Sequence, residues 1–161
     1  MRLLVLGGTI FLGRHFVEQA LARGHELTLF HRGQHNPGLF PAAETIEGDR
    51  DGGLDALGAG RWDAAVDFCG YVPRVVAASA DLLRDRVDHY TFVSSMSVYS
   101  DNETAGQDES APLATIADPA TEEVTGETYG ALKALCEQAA AARFPGRALI
   151  VRPGLIVGPW D

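Results

Sequence analysis

The sequence predicts a doubly wound α/β domain, a parallel sheet in the strand order 3-2-1-4-5-6 with helices on both faces. Three observations carry this. Short β-type runs alternate with helical patterns from end to end, which calls for parallel strands joined by crossovers. The first run ends in the glycine-rich turn Gly7-Gly8-Thr9-Ile10-Phe11-Leu12-Gly13, and a turn of that kind between strand and helix marks the doubly wound arrangement. At 161 residues the chain suits one domain with a proper core, and it contains no internal repeat.

Arg2–Leu6 is an apolar run closed by glycines and reads as the first strand. Leu12, Phe16, Val17, Ala20 and Leu21 then share one helical face, and Gly24 ends that helix. Glu26–His31 is the second strand and residues 45–47 a short third. Residues 48–60 hold five glycines and read as a loop. Residues 64–68 form the fourth strand, and Pro73 opens a helix over 73–86 with Val75, Val76, Leu82 and Leu83 apolar. Residues 89–95 are the fifth strand. Residues 100–125 are polar and unusually long for a connection in a compact domain, which marks a functional loop. A helix over 128–144 buries Leu132, Leu135, Cys136 and Ala139, and residues 147–151 form the sixth strand.

The formal net charge is -9, which argues against nucleic acid and against anionic membrane surfaces as partners. Seven carboxylates fall between residues 101 and 123, with no lysine or arginine among them. Cys69 and Cys136 give neither a disulfide framework nor a metal-ligand spacing, and read as small core residues of a reducing compartment. No apolar run is long enough to span a bilayer, and residues 1–6 meet Gly7-Gly8 too soon for a signal peptide. The cytoplasm is the expected location.

The first turn points to a dinucleotide. Gly7 allows the tight turn, Gly8 lets backbone approach a ligand, and Gly13 lets the helix pack close to the sheet. The N–H groups at that helix start suit a pyrophosphate. Ile10 stands where many such turns carry their middle glycine. An acidic residue at the end of the second strand favours a ribose 2′-hydroxyl. This chain has His31-Arg32-Gly33 there, and Arg32 suits a 2′-phosphate, with Arg14 a second cation near the turn. NADP is therefore favoured over NAD. Asp49, after the third strand, has two readings on spacing alone: an acceptor for the adenine amino group, or a solvated loop carboxylate.

The chain contains one lysine, Lys133, four residues after Tyr129; its other strong bases are twelve arginines. That spacing is about one helical turn, so phenol and ammonium share a face. An ammonium there favours the ionised phenol, whose ordinary pKa is ~10. Arginine offers no compact, tunable equivalent. Serines in Ser94-Ser95-Met96-Ser97 lie where the fifth strand reaches the ligand edge. A hydroxyl there, with Tyr129 and Lys133, can bind a carbonyl or alcohol oxygen and pass it a proton. No histidine signature accompanies these serines, so none reads as a nucleophile.

In this order and spacing, residues 7–13, Phe68-Cys69-Gly70, Ser94-Ser95-Met96-Ser97-Val98-Tyr99, Tyr129-Gly130-Ala131-Leu132-Lys133 and Arg152-Pro153-Gly154-Leu155-Ile156-Val157-Gly158-Pro159 resemble the extended or atypical short-chain dehydrogenase/reductase superfamily, in its NAD-dependent epimerase/dehydratase group. The resemblance spans the whole chain. It implies a Rossmann domain that binds NADP or NAD and an enzyme that moves a hydride at a carbonyl or alcohol carbon, with nucleotide sugars among the candidate substrates. It implies that Tyr129 is the acid/base, and that Lys133 hydrogen-bonds the nicotinamide ribose and lowers the Tyr129 pKa. Ser95, four residues before Tyr99, matches the family's Ser/Thr that holds the reacting oxygen; Ser94 is its neighbour. Phe68, Cys69 and Gly70 would flank the middle of the cofactor, Pro153 would border the nicotinamide, and Asp49 matches the adenine contact.

The resemblance also implies pairing through the helices at 73–86 and 128–144, hence a homodimer. Members are usually much longer, with a carboxyl-terminal part that forms most of the substrate pocket. Residues 1–161 are therefore expected to be the cofactor domain without that part, and a site open to water would turn over little. An apolar patch is expected near the sixth strand, able to drive self-association. The Gly-Gly-Thr-x-Phe-Leu-Gly form resembles a divergent branch that includes chloroplast stem-loop-binding proteins. A non-catalytic nucleotide-binding, RNA-binding or regulatory role is thus the alternative. The intact Ser95, Tyr129 and Lys133 set and the charge of -9 stand against it.

Overall fold

The structure, a computed structural model, describes residues 1–101 and 103–161; Asn102, in the long polar segment, lies outside them. Six strands, β1 (Arg2–Leu6), β2 (Glu26–His31), β3 (Glu44–Glu47), β4 (Trp62–Asp67), β5 (Val87–Val93) and β6 (Ala148–Val151), form one sheet. Its order is β3-β2-β1-β4-β5-β6 and every pairing is parallel, as the alternating pattern predicts.

Among the described residues three helices cover it: α1 (Phe11–Ala22), α2 (Pro73–Leu83) and α3 (Tyr129–Arg143). The central strands are buried on both faces, which is why they read as continuous apolar runs. Alternate residues of β1 serve opposite layers. Leu4 and Leu6 join Tyr90, Phe92, Val76 and Phe144 in the core under α2 and α3. Leu3 and Val5 join Leu29 with Val17 and Ala20 of α1. Each such Leu or Val contributes roughly 1.5–3 kcal/mol by leaving water.

β4 and β5 both begin two residues earlier than the sequence suggests, because Trp62 pairs with Val87. Trp62 is buried there with its indole N–H donating to Thr28 Oγ1 at 2.9 Å, which meets the need of a buried indole for a partner. β5 ends at Val93, so Ser94 and Ser95 follow the strand. After a 3-10 turn at Met96–Val98 the long segment folds back: Ser100 N–H donates to the Pro112 carbonyl at 2.9 Å and Ala114 N–H to the Val98 carbonyl at 2.7 Å.

The apolar patch expected near the sixth strand is present. Leu149 and Val151 of β6 are exposed, as are Leu155, Val157 and Trp160 beyond it. Among the described residues no helix is long and apolar enough to cross a membrane.

Candidate functional site

A cleft of about 900 Å³ opens at the carboxyl ends of the strands, where doubly wound folds bind ligands. The whole turn from Gly7 to Gly13 lines it, with Arg32 and Asp49 toward one end and Ser95, Tyr129, Lys133 and Pro153 toward the other. Phe68 and Cys69 line it between these ends. Gly70 does not line it; it is buried below, with its carbonyl turned to Lys133.

The turn is built by close approach. Gly7 and Gly8 have φ of 93° and 95°, a region that side chains rarely tolerate. A Cβ on Gly8 would stand 2.9 Å from Val5 Cγ1, and one on Gly13 would stand 2.8 Å from Gly8 Cα. Ile10 needs no such freedom: its backbone is extended, at φ -126° and ψ 143°, and its side chain points outward. Phe11, at φ 32°, carries the strain of entering α1.

No side chain caps the start of α1, and no acid lies in its first turn. Its free N–H groups therefore suit an anion. Among the described residues four buried side-chain atoms lack a hydrogen-bond partner: His31 Nε2, Arg50 Nε, Ser94 Oγ and Arg143 Nε. The first three belong to residues that line this cleft. Buried polar atoms are seldom left unpaired, so their gathering here fits a polar ligand such as a dinucleotide.

Arg32 is exposed on the cleft wall and, among the described residues, carries no ion pair. Arg14 differs: its Nε meets Glu18 at 2.9 Å and its guanidinium stacks 3.8 Å from the Trp160 ring centroid. Those contacts draw it away from the second-cation role suggested by position alone. Asp49 accepts the Asp51 N–H at 2.9 Å and so shapes its own loop while lining the cleft.

The end of the cleft at Ser95 and Tyr129 depends on where α3 begins. Tyr129 is its first residue and Gly130 its second. Any side chain at Gly130 would overlap the Ser97 carbonyl, so glycine lets the helix start seat directly on the 3-10 turn. Ser95 caps that turn: its Oγ accepts the Ser97 N–H at 3.1 Å and donates to Ser97 Oγ at 3.1 Å. Ser94 is buried beside it with its hydroxyl unpartnered. The Pro153 carbonyl accepts the Met96 N–H at 2.9 Å and ties the segment after β6 to the same turn.

Lys133 is only 2% exposed and donates to the Gly70 and Val93 carbonyls, each at 2.8 Å. Its ammonium also lies 4.2 Å from the Phe92 ring centroid. Two of its three N–H donors are thus used, and one remains. Burial lowers its pKa below the ordinary lysine value, against the pull of Asp67. Burial, reinforced by Asp67, pushes the Cys69 thiol up to about 11, so Cys69 stays protonated and offers no thiolate nucleophile.

Two cleft residues escape a reading by motif. Tyr71 stands with its ring centroid 6.4 Å from that of Tyr129 and 5.4 Å from Lys133 Nζ. Burial, then the neighbouring Tyr129 phenol, raises its pKa. Its only signal in the sequence is that it directly follows Phe68-Cys69-Gly70. Arg50, between Asp49 and Asp51, is the other; its partner lies 17 residues away.

No protein-family model and no curated protein matches the chain. Solved structures do. A UDP-galactose 4-epimerase is 25% identical with a TM-score of 0.74, the match covering 94% of this chain and 55% of that one. A dTDP-glucose 4,6-dehydratase from Bacillus anthracis, in complex with NAD, is 20% identical with a TM-score of 0.77, over 100% of this chain and 57% of that one. A UDP-glucose 4-epimerase from Brucella ovis, in complex with NAD, is 19% identical with a TM-score of 0.72, over 94% and 52%. The chain thus spans about half the length of these enzymes. The resemblance to the NAD-dependent epimerase/dehydratase group, carried in the sequence by motifs, extends to the three-dimensional fold.

Proposed function

We propose that residues 1–161 are the cofactor-binding domain of an NAD(P)-dependent oxidoreductase or epimerase/dehydratase-type enzyme acting on a nucleotide sugar. One observation carries the reading: Ser95, Tyr129 and Lys133 gather at one end of a cleft that also contains the uncapped start of α1. In this reading the backbone of residues 7–13 holds the pyrophosphate and Asp49 the adenine. Phe68 and Cys69 line the middle, and Pro153 borders the nicotinamide. Exposed and unpaired among the described residues, Arg32 selects a 2′-phosphate, so NADP is preferred over NAD.

The cofactor, when bound, supplies or takes up a hydride. The chain's own residues handle the proton. In reduction Tyr129 gives its phenolic proton to the substrate carbonyl oxygen; in oxidation its phenolate takes the proton from the alcohol. Ser95 holds that oxygen by a hydrogen bond. Lys133 uses its remaining donor on the nicotinamide ribose, one helical turn beyond Tyr129 on the same helix. The nucleotide-sugar class rests on the neighbours, a UDP-galactose epimerase and a dTDP-glucose dehydratase. Pairing of two copies through α2 and α3 belongs to the same reading.

The test is Tyr129→Phe in the longer protein that carries this domain, assayed for hydride transfer with UDP- and dTDP-hexoses. Loss of turnover by about 10²–10⁴-fold with cofactor affinity kept supports the enzyme reading. Unchanged turnover contradicts it. A wild-type protein that binds cofactor and turns over none of these substrates points to a binding or regulatory module.

A further inference from the structure

Beneath the cleft lies a polar cluster that none of these roles uses. Arg50 meets Asp67, at the end of β4, with both prongs of its guanidinium: Nη1 to Oδ1 and Nη2 to Oδ2, each at 2.8 Å. Nη2 also donates to Ser79 Oγ of α2 at 2.5 Å. Tyr90 of β5 donates its hydroxyl to Asp67 Oδ2 at 2.8 Å. A fourth donor to the carboxylate is the backbone N–H of Cys69, at 3.0 Å. Asp67 is wholly buried, and burial alone would raise its pKa, but the Arg50 guanidinium overrides this and holds it below the ordinary carboxylate range. The pair is therefore charged at neutral pH.

The bond to Cys69 carries the consequence. It fixes the turn Phe68-Cys69-Gly70, and the Gly70 carbonyl is one of the two acceptors of the Lys133 ammonium. We infer that Arg50 and Asp67 are a positioning pair for Lys133: Asp67 sets the turn that holds the ammonium, and Arg50 holds Asp67. Neither side chain touches the reacting atoms. The inference rests on the reading of Lys133 as part of the reaction end. It also gives the loop after β3 a physical link to that end, because Arg50 sits between Asp49 and Asp51.

The titratable groups around Lys133 are few. Tyr129, Cys136 and Glu137 belong to its own helix, Cys69 and Tyr71 to the turn after β4, and Asp67 and Arg50 to the cluster. Glu137 is already bound to Arg152 through two contacts of 2.9 and 2.7 Å. Within the pair the two charges act on the ammonium with opposite sign, Asp67 favouring it and Arg50 opposing it.

Lys133 is the sole lysine, so a chain grown with [ε-13C]lysine gives one resonance to titrate. The expected result is a Lys133 midpoint that falls in both Arg50→Gln and Asp67→Asn, because each loosens the turn that aims the Gly70 carbonyl at the ammonium. Tyr90→Phe, which keeps the ion pair but strips one donor from Asp67, should lower it by less. A brace that only holds the fold would, when cut, admit water and raise the midpoint in every variant. A midpoint that rises in Arg50→Gln and falls in Asp67→Asn would report the two charges alone and overturns the proposal, as does a rise in both. Should those two variants fail to fold, an unmoved or raised midpoint in Tyr90→Phe overturns it as well. Calorimetry of the wild-type chain with NADPH and with NADH separates the two readings: absence of binding of both sinks the cofactor assignment, and the Lys133 midpoints alone decide the positioning pair.

Discussion

Arg50 and Asp67 face each other in a two-pronged ion pair, both contacts 2.8 Å, with the carboxylate wholly buried and the guanidinium side chain only 10% exposed. Such a pair contributes little over a well-packed apolar substitute, but breaking it strands a charge. Arg50→Met should destabilise the chain by about 3–5 kcal/mol, a large share of the roughly 5–15 kcal/mol typical of a domain. Urea unfolding followed by circular dichroism measures this. A loss below about 1 kcal/mol would mean that water or another cation takes over the carboxylate.

The same pair sets the acid response. Asp67 has a folded pKa held below its unfolded value of about 3.9. Its contribution to stability is therefore fully present above that unfolded value and is lost as pH falls through it toward the folded one. The urea midpoint should drop between about pH 5 and pH 3, and Asp67→Asn should flatten that drop while lowering stability at neutral pH. An equally steep drop in the variant would place the acid sensitivity elsewhere.

Gly130 and Gly126 make a matched comparison. A Cβ at Gly130 overlaps the Ser97 carbonyl, whereas one at Gly126 meets nothing within 4 Å. Gly130→Ala should cost about 1–3 kcal/mol by overpacking and push the Ser95 turn away from Tyr129. Gly126→Ala should change stability by no more than about 0.5 kcal/mol. Thermal melts of the two variants check the contrast, and equal melts would show that the helix start yields freely.

The exposed row Leu149, Val151, Leu155, Val157 and Trp160 should drive self-association. Leu155 is 98% exposed, so Leu155→Asp removes apolar surface without disturbing the core. Sedimentation velocity over a range of concentrations should show weaker association in this variant with an unchanged melting temperature. Identical sedimentation would assign any association to another face, such as α2 and α3.

Much of this molecule is legible from local pattern. The strand order follows from alternating runs and one glycine-rich turn, and the cleft residues follow from motifs whose spacing is short. What escaped depends on contacts between distant segments. Trp62 extends β4 because Val87 and Thr28 receive it, and neither is near it in sequence. Arg14, near the turn in sequence, is stacked on the distant Trp160 as well as paired with Glu18 one helical turn on. Gly70 looked like a cleft residue, yet it lies beneath, where its carbonyl holds Lys133. Arg50 was one arginine among twelve, and only the fold brings it to Asp67.

Calorimetric titration of the chain with NADPH and, separately, with NADH shows whether the cleft holds a dinucleotide. The expected result is saturable binding at one site, on the order of micromolar for NADPH and weaker for NADH. The preference should be lost in Arg32→Ala, and binding of both should be lost in Gly8→Val. Binding of neither nucleotide to a folded wild-type chain would contradict the reading of the cleft as a dinucleotide site.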